Sequence, residues 1–182
     1  MALRATVYKA ELQVSDLDRH YYASHALTLA RHPSETEERL MVRLLAFALF
    51  ADEALVFGRG LSSEDEADLR QADLTGAITR WIDVGLPDER ALRKACARAS
   101  EVVVLAYGGR GAELWWQQNR EALAKLPKLR VLALPFAASQ ALAGLADRNM
   151  SVQCTIQDGQ LWLSSASETL HIVPERLQEP GT

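Results

Sequence analysis

At 182 residues the chain is long enough to bury a sizeable core as one domain. It is 48% hydrophobic and 24% charged, the balance of a soluble globular protein, and no apolar run nears the roughly 18 residues that span a bilayer. A net charge of −4 argues against broad, charge-driven nucleic-acid binding but leaves room for a local basic patch.

The N-terminal MALRATVYKAELQV alternates too regularly for a signal peptide. Cys96 and Cys154 lack CxxC spacing, so neither a disulfide framework nor a zinc knuckle is expected, and a reducing cytoplasm is the simplest home. The first 30 residues predict a β-hairpin. Tyr8, Ala10, Leu12 and Val14 alternate with polar neighbours, SDLD makes the turn, and a second extended run reaches Leu29. After Pro33 a helix is expected to run to about Ala51, with Ser34 and Glu37 in capping-box spacing. Leu40, Met41, Leu44, Leu45 and Ala48 form its buried stripe, and Arg39 and Arg43 mark its solvent side. Glu37 and Glu38 extend the buried side by one turn. Capping accounts for Glu37, whereas a Glu38 carboxylate pointing toward a sheet needs another reason.

A short strand follows at 54–57, then the charged loop SSEDEAD and two further strands. The first of these opens at Asp68, and Gly76 turns it into RWIDV. LPDERALRKACARA predicts a helix with Pro87 and Asp88 at its start and Leu92, Ala95, Cys96 and Ala99 facing inward. EVVVLAY is a continuous apolar run, the mark of a strand covered on both faces. Residues 111–124 read as a helix bearing Trp115 and Trp116, LRVLALPF as another buried strand, and 137–148 as a short helix. SVQCTIQDGQLWLSS is a hairpin whose Asp158-Gly159 turn sets Ile156 opposite Leu161 and Cys154 opposite Leu163. Only the final QEPGT looks loose. The sum is an α/β domain with a mixed sheet, the 81–84 and 101–107 strands at its centre and the helix beginning at Asp88 over one face.

One residue breaks the pattern. Asp83 stands inside the apolar run of Trp81, Ile82 and Val84, before Gly85 and Pro87 stop the strand. A carboxylate there must be paired, bind a metal, or lie where water reaches the end of the sheet. Two more acids hold comparable places, Glu38 on the buried side of the first helix and Asp68 at a strand start. Converging carboxylates repel unless a cation neutralises them, and hard oxygen ligands with open positions suit magnesium or manganese. Such an ion can generate hydroxide and stabilise charge on a phosphoryl group.

The order helix, three strands, helix, strand over 34–107, with acids at these places, resembles the PD-(D/E)XK nuclease superfamily. More closely, ATVYKAELQVSDLDR, LTLARHPSETEERLMVRLLAFAL, WIDVGLPDERALRKACARA, WWQQN and TIQDGQLWLS make the chain similar to the YaeQ family over nearly its whole length. The resemblance implies one domain over 1–182 with a restriction-endonuclease-like core, flanked by N-terminal and C-terminal hairpins. It also implies metal ligands: Glu38 as the helix glutamate, Asp68 as the strand aspartate, and Asp83 as the acid of an acid-x-lysine motif. Two positions depart from that motif. Ala67 stands where proline precedes the aspartate, and Gly85 stands where the lysine should be.

That lysine would position the attacking water and stabilise developing charge. Some superfamily members place an equivalent lysine on the following helix, where Lys94 is the candidate, sharing the catalytic role with Asp83. At about 100° per residue Lys94 is roughly 120° from the centre of the buried stripe, so its long stem has to curl back. Arg98, nearer the boundary, is a candidate phosphate clamp. The expected function is magnesium- or manganese-dependent cleavage of nucleic-acid phosphodiesters. The alternative is a non-catalytic nucleic-acid- or protein-binding regulatory module that kept the fold and lost turnover with the lysine. Other candidates have plainer readings. Arg90, Arg93, Lys94 and Arg98 crowd one segment in the manner of a solvated helix face, and His20 and His25 lack metal spacing. One of Trp115 and Trp116 belongs to the core, and GGRG at 108–111 is a loop too short for a dinucleotide fingerprint.

Overall fold

Alternation from Tyr8 onward builds β1 (Thr6–Asp16), with Tyr8, Ala10, Leu12 and Val14 buried in a computed structural model that describes residues 4–59 and 65–181. β1 pairs antiparallel with β2 (Tyr21–Arg31), so the hairpin is longer than SDLD implied and turns at 17–20. Asp16 sets that turn: its carboxylate accepts from the Arg19 backbone N–H at 3.0 Å and from Arg19 Nε at 2.7 Å.

The next element, α1 (Glu37–Leu49), corrects two expectations. Its cap is Thr36, whose hydroxyl accepts from the Arg39 N–H at 3.0 Å, while Ser34 lies 2.6 Å from the His32 ring and Glu37 is exposed. Every residue from Leu40 to Ala48 is buried, Arg43 included, so the helix has no solvent side over that stretch. A helix buried on all sides needs apolar cover on all sides, and here two sheets provide it.

The remaining elements are β3 (Leu55–Phe57), β4 (Leu69–Ala72), β5 (Ile78–Val84), α2 (Glu89–Arg98), β6 (Ala99–Ala106), α3 (Arg110–Leu123), β7 (Leu129–Ala133), α4 (Phe136–Ala143), β8 (Asn149–Gln157), β9 (Gln160–Ser164), β10 (Thr169–Ile172) and β11 (Glu175–Gln178). They form two mixed sheets rather than one. The first has the order β10-β9-β8-β1-β2 and the second β11-β7-β6-β5-β4-β3. The terminal hairpins share the first sheet because β1 and β8 run parallel, with Leu12 beside Val152. β5 and β6 occupy the centre of the second sheet, parallel to each other and to β7.

α1 and α4 lie between the sheets, and α2 and α3 cover the outer face of the second. EVVVLAY is accordingly buried on both sides. Val103 and Leu105 join the core around α1, and Val102, Val104 and Ala106 join the core beneath α2 and α3. The β8–β9 hairpin has the expected register, with Asp158 and Gly159 both at positive φ as a two-residue turn requires. Residues 62–64 of the charged loop lie outside the described residues. QEPGT is tied down through Gly181: Gln178 ends β11 and donates to the Leu123 carbonyl at 2.8 Å, and the Gly181 N–H donates to Pro127 at 2.8 Å. Among the described residues no helix is long and apolar enough to cross a membrane.

Both cysteines are free thiols. Burial pushes the Cys154 thiol up to about 12 and raises that of half-buried Cys96. A thiolate is the reactive form, so an aromatic disulfide reagent at pH 8 is expected to leave Cys154 untouched in the native protein. Denaturation without reductant should then release two titratable thiols, and two fast-reacting native thiols would contradict this burial.

Candidate functional site at the carboxyl ends of the central strands

Parallel strands place their carboxyl ends together, and in open α/β sheets that edge is where ligands bind. Asp83 is the penultimate residue of β5, and Tyr107 directly follows β6. β4 runs the other way, pairing Leu69 with Ile82, so Asp68 just ahead of β4 arrives beside Asp83. The two acids are interlocked. Asp83 Oδ1 accepts from the Asp68 N–H at 3.3 Å, and Asp68 Oδ2 accepts from the Val84 N–H at 2.9 Å. Asp83 Oδ2 accepts from the Trp81 indole N–H at 3.0 Å. Burial first, and the neighbouring Asp68 second, push the Asp83 carboxyl up to about 6. The Trp81 and Asp68 N–H groups and the Arg39 guanidinium pull the other way without prevailing.

A chain of alternating charge leads from this pair into the protein. Arg39 Nη2 donates to Asp68 Oδ1 at 2.6 Å, and its Nη1 lies 3.8 Å from Glu35 Oε1. Glu35 in turn accepts from Arg43 Nε at 3.0 Å and Nη2 at 3.1 Å, with both side chains fully buried. Tyr107 stands beside these groups. Burial pushes its phenol up to about 12, with Arg39 opposing and Glu38, Glu35 and Asp68 reinforcing. Sequence reasoning missed Arg39, Glu35 and Tyr107. Arg39 and Arg43, four apart, share one face of α1, and Glu35 lies one residue before its Thr36 cap, but nothing local showed that face to be buried.

Glu38 Oε2 accepts from Gln140 Nε2 of α4 at 2.5 Å. Among the described residues no three or more His, Cys, Asp or Glu side chains gather as a metal-binding group. Gly85 adopts φ 104°, a conformation that side-chain-bearing residues rarely enter, which gives a local reason for the missing lysine. Lys94 is exposed on α2 and lines a cleft of about 520 Å³ with Trp81, Arg90 and Arg98. Arg98 rests over the Trp81 ring, 5.0 Å from its centroid, and its Nη1 donates to the Asp65 carbonyl at 2.7 Å. Trp81 therefore links the cleft to Asp83. A second cleft of about 530 Å³, between α3 and β11, holds none of these residues.

Of the other candidates, GGRG is a loop only at Gly108 and Gly109, because α3 already begins at Arg110. His25 lies 2.9 Å from the Tyr21 hydroxyl and packs edge-on against Phe47. Trp115 is buried and donates to the Pro87 carbonyl at 2.7 Å.

The YaeQ protein family model matches residues 1–174. The chain is 50% identical over 183 residues to the uncharacterized protein YaeQ of Salmonella typhi, and 47% identical to that of Escherichia coli (strain K12), covering 100% of both chains in each case. The crystal structure of YaeQ protein from Xanthomonas axonopodis pv. citri superposes with a TM-score of 0.94 at 52% identity, over 97% of this chain and 99% of that one. That of YaeQ protein from Pseudomonas syringae superposes with a TM-score of 0.92 at 35% identity, over 98% of each chain. With its family model, its relatives and its mixed α/β fold in agreement, the chain belongs to the YaeQ family.

Proposed function

We propose that the chain is a PD-(D/E)XK-type hydrolase of nucleic-acid phosphodiesters, working at Asp68 and Asp83 with magnesium or manganese. The observation that carries this reading is the interlocked carboxylate pair, in which burial first and the neighbouring Asp68 second hold Asp83 at about 6. The element order over 37–106, helix, three strands, helix and strand, supports a restriction-endonuclease-like core. Magnesium commonly takes one or two carboxylates and keeps waters in its other positions, so two aspartates with hard oxygen donors fit such an ion without Glu38. Bound there, the ion supplies an activated hydroxide and charge stabilisation at phosphorus.

The chain's own groups do the rest. Asp83 and Asp68 would hold the ion through their carboxylates, which the Trp81 indole N–H and the Val84 N–H orient. Arg39 orients Asp68 through its 2.6 Å contact. Lys94 and Arg98 act on phosphate from the cleft. A second reading, a binding module without turnover, is favoured by Gly85 and by Arg39 already standing on Asp68 as its counter-ion.

Wild-type protein is expected to cleave labelled oligonucleotides with manganese, and Asp83→Asn and Asp68→Asn to lose that activity by at least about 100-fold, the scale of losing a principal charge-stabilising group. Manganese should raise the wild-type Tm by mass action and leave Asp83→Asn unmoved. Binding of strands without cleavage would select the second reading. A wild type indifferent to manganese, with an Asp83→Asn variant that collapses, would make Asp83 a structural acid and remove the hydrolase.

A further inference from the structure

On α2, Arg90, Lys94 and Arg98 recur at every fourth residue, which puts them on one face about 6 Å apart along the axis. Ala91 and Ala97 line the same cleft and keep that face low between the long side chains. Among the described residues none of the three cations forms an ion pair, whereas Arg93, next to Lys94, is closed by Glu89 at 2.6 Å. Asp65 and Asp88 share the cleft; the Asp88 carboxylate is engaged in capping α2, accepting from the Ala91 N–H at 2.7 Å, which leaves Asp65 as the one acid set against three cations. Arg98 is held in place beforehand by the Trp81 ring beneath it and the Asp65 carbonyl beside it. Less side-chain freedom is therefore lost when it meets a ligand. Three unpaired cations along one cleft, in a chain of net charge −4, are a local feature and not the surface average.

We infer that this face of α2 is a phosphate track for a single nucleic-acid strand leading toward Asp83, with the buried Trp81 as the floor that supports Arg98 above and bonds to Asp83 through its indole N–H. The destination rests on the hydrolase reading; the binding does not. A cleft of about 520 Å³ is of small-molecule size, so it admits about two nucleotides of one strand, with the three phosphates that bracket them, and not both strands of a duplex. Regularly spaced cations matched to a polyanion act by releasing its counter-ions, and the effect is read in the salt dependence.

The test is fluorescence anisotropy with a labelled oligothymidylate of about a dozen nucleotides, in EDTA so that no cleavage occurs. Each phosphate neutralised on a single strand contributes about 0.7 to the slope of log K against log salt, so three contacts give a slope of about −2. Lys94→Gln should reduce that slope by about 0.7, and the Arg90→Gln, Lys94→Gln, Arg98→Gln triple variant should flatten it and weaken binding at low salt by at least about tenfold. Arg93→Gln, whose parent is paired with Glu89, should leave the slope as it is. Lys94 is exposed, so its variant reads the track even if replacing Arg98 disturbs Trp81. An unchanged slope in the triple variant, tighter binding of the matching duplex, or no binding would overturn the inference. Strands bound with a slope of about −2 and never cut with manganese would leave the track and remove the hydrolase. Cleavage with binding indifferent to the track would do the reverse.

Discussion

Arg43→Met is expected to lower folding stability by about 3–5 kcal/mol, the cost of removing one partner of a buried ion pair. The pair is closed on every side. Arg43 and Glu35 have side chains 1% and 0% exposed, and Arg43 meets the two Glu35 oxygens at 3.0 and 3.1 Å and the Ala30 carbonyl at 3.0 Å. Without Arg43 the Glu35 carboxylate keeps only Arg39, at 3.8 Å, and Ala30 of β2 loses its tie to α1. The measurement is the midpoint of urea unfolding at neutral pH, at constant m. Glu35→Leu combined with Arg43→Met should recover most of the loss, since a buried pair replaced by apolar groups is often close to neutral. A single variant costing less than about 1 kcal/mol would mean that water reaches Glu35.

Asp83→Asn is expected to stabilise the metal-free protein above neutral pH. The Asp83 carboxyl titrates at about 6 in the fold against an ordinary value of 3.8, so the folded protein takes up its proton first as pH falls. Below 3.8 both states carry the neutral acid and burial brings no charge penalty. As pH rises from there through about 6 the native state must bury the charge, and that part of the stability is lost. The gap from 3.8 to about 6, at about 1.4 kcal/mol per pH unit, amounts to about 3 kcal/mol. Asparagine never ionises, so its variant should lack this decline. At pH 8 it should exceed the wild type by up to about 3 kcal/mol, less about 1–3 kcal/mol because the amide keeps one acceptor oxygen and leaves either the Trp81 indole N–H or the Asp68 N–H facing an NH2 group. Urea titrations of both proteins between pH 4 and 8 decide it. Parallel curves would mean that Asp83 is ionised throughout at no cost.

These two acids differ in how visible they were beforehand. Asp83 stood out in a seven-residue strand because a run that is apolar on both faces, as Trp81, Ile82 and Val84 make it, leaves no place for a charge. Local chemistry was also enough for the Asp158-Gly159 turn and its register, for the two-sided burial of β6, and for the order of elements from α1 to β6. Each of these depends on contacts within an element or across a tight turn, where spacing in sequence equals spacing in space.

The rest depended on partners far along the chain. Arg39 and Arg43 read as the wet side of α1 because charge normally marks that side. The second sheet turns it into the inside, and the two guanidiniums then have to find Asp68, 29 residues on, and Glu35. The partition into two sheets rests on β1 meeting β8 some 140 residues later, a pairing on which periodicity is silent. Glu38 carries the same lesson at the site: its helix position was legible, but Gln140 on α4, 102 residues away, decided where its carboxylate points. Periodicity reports that a face avoids water; only the packed chain decides which partner covers it.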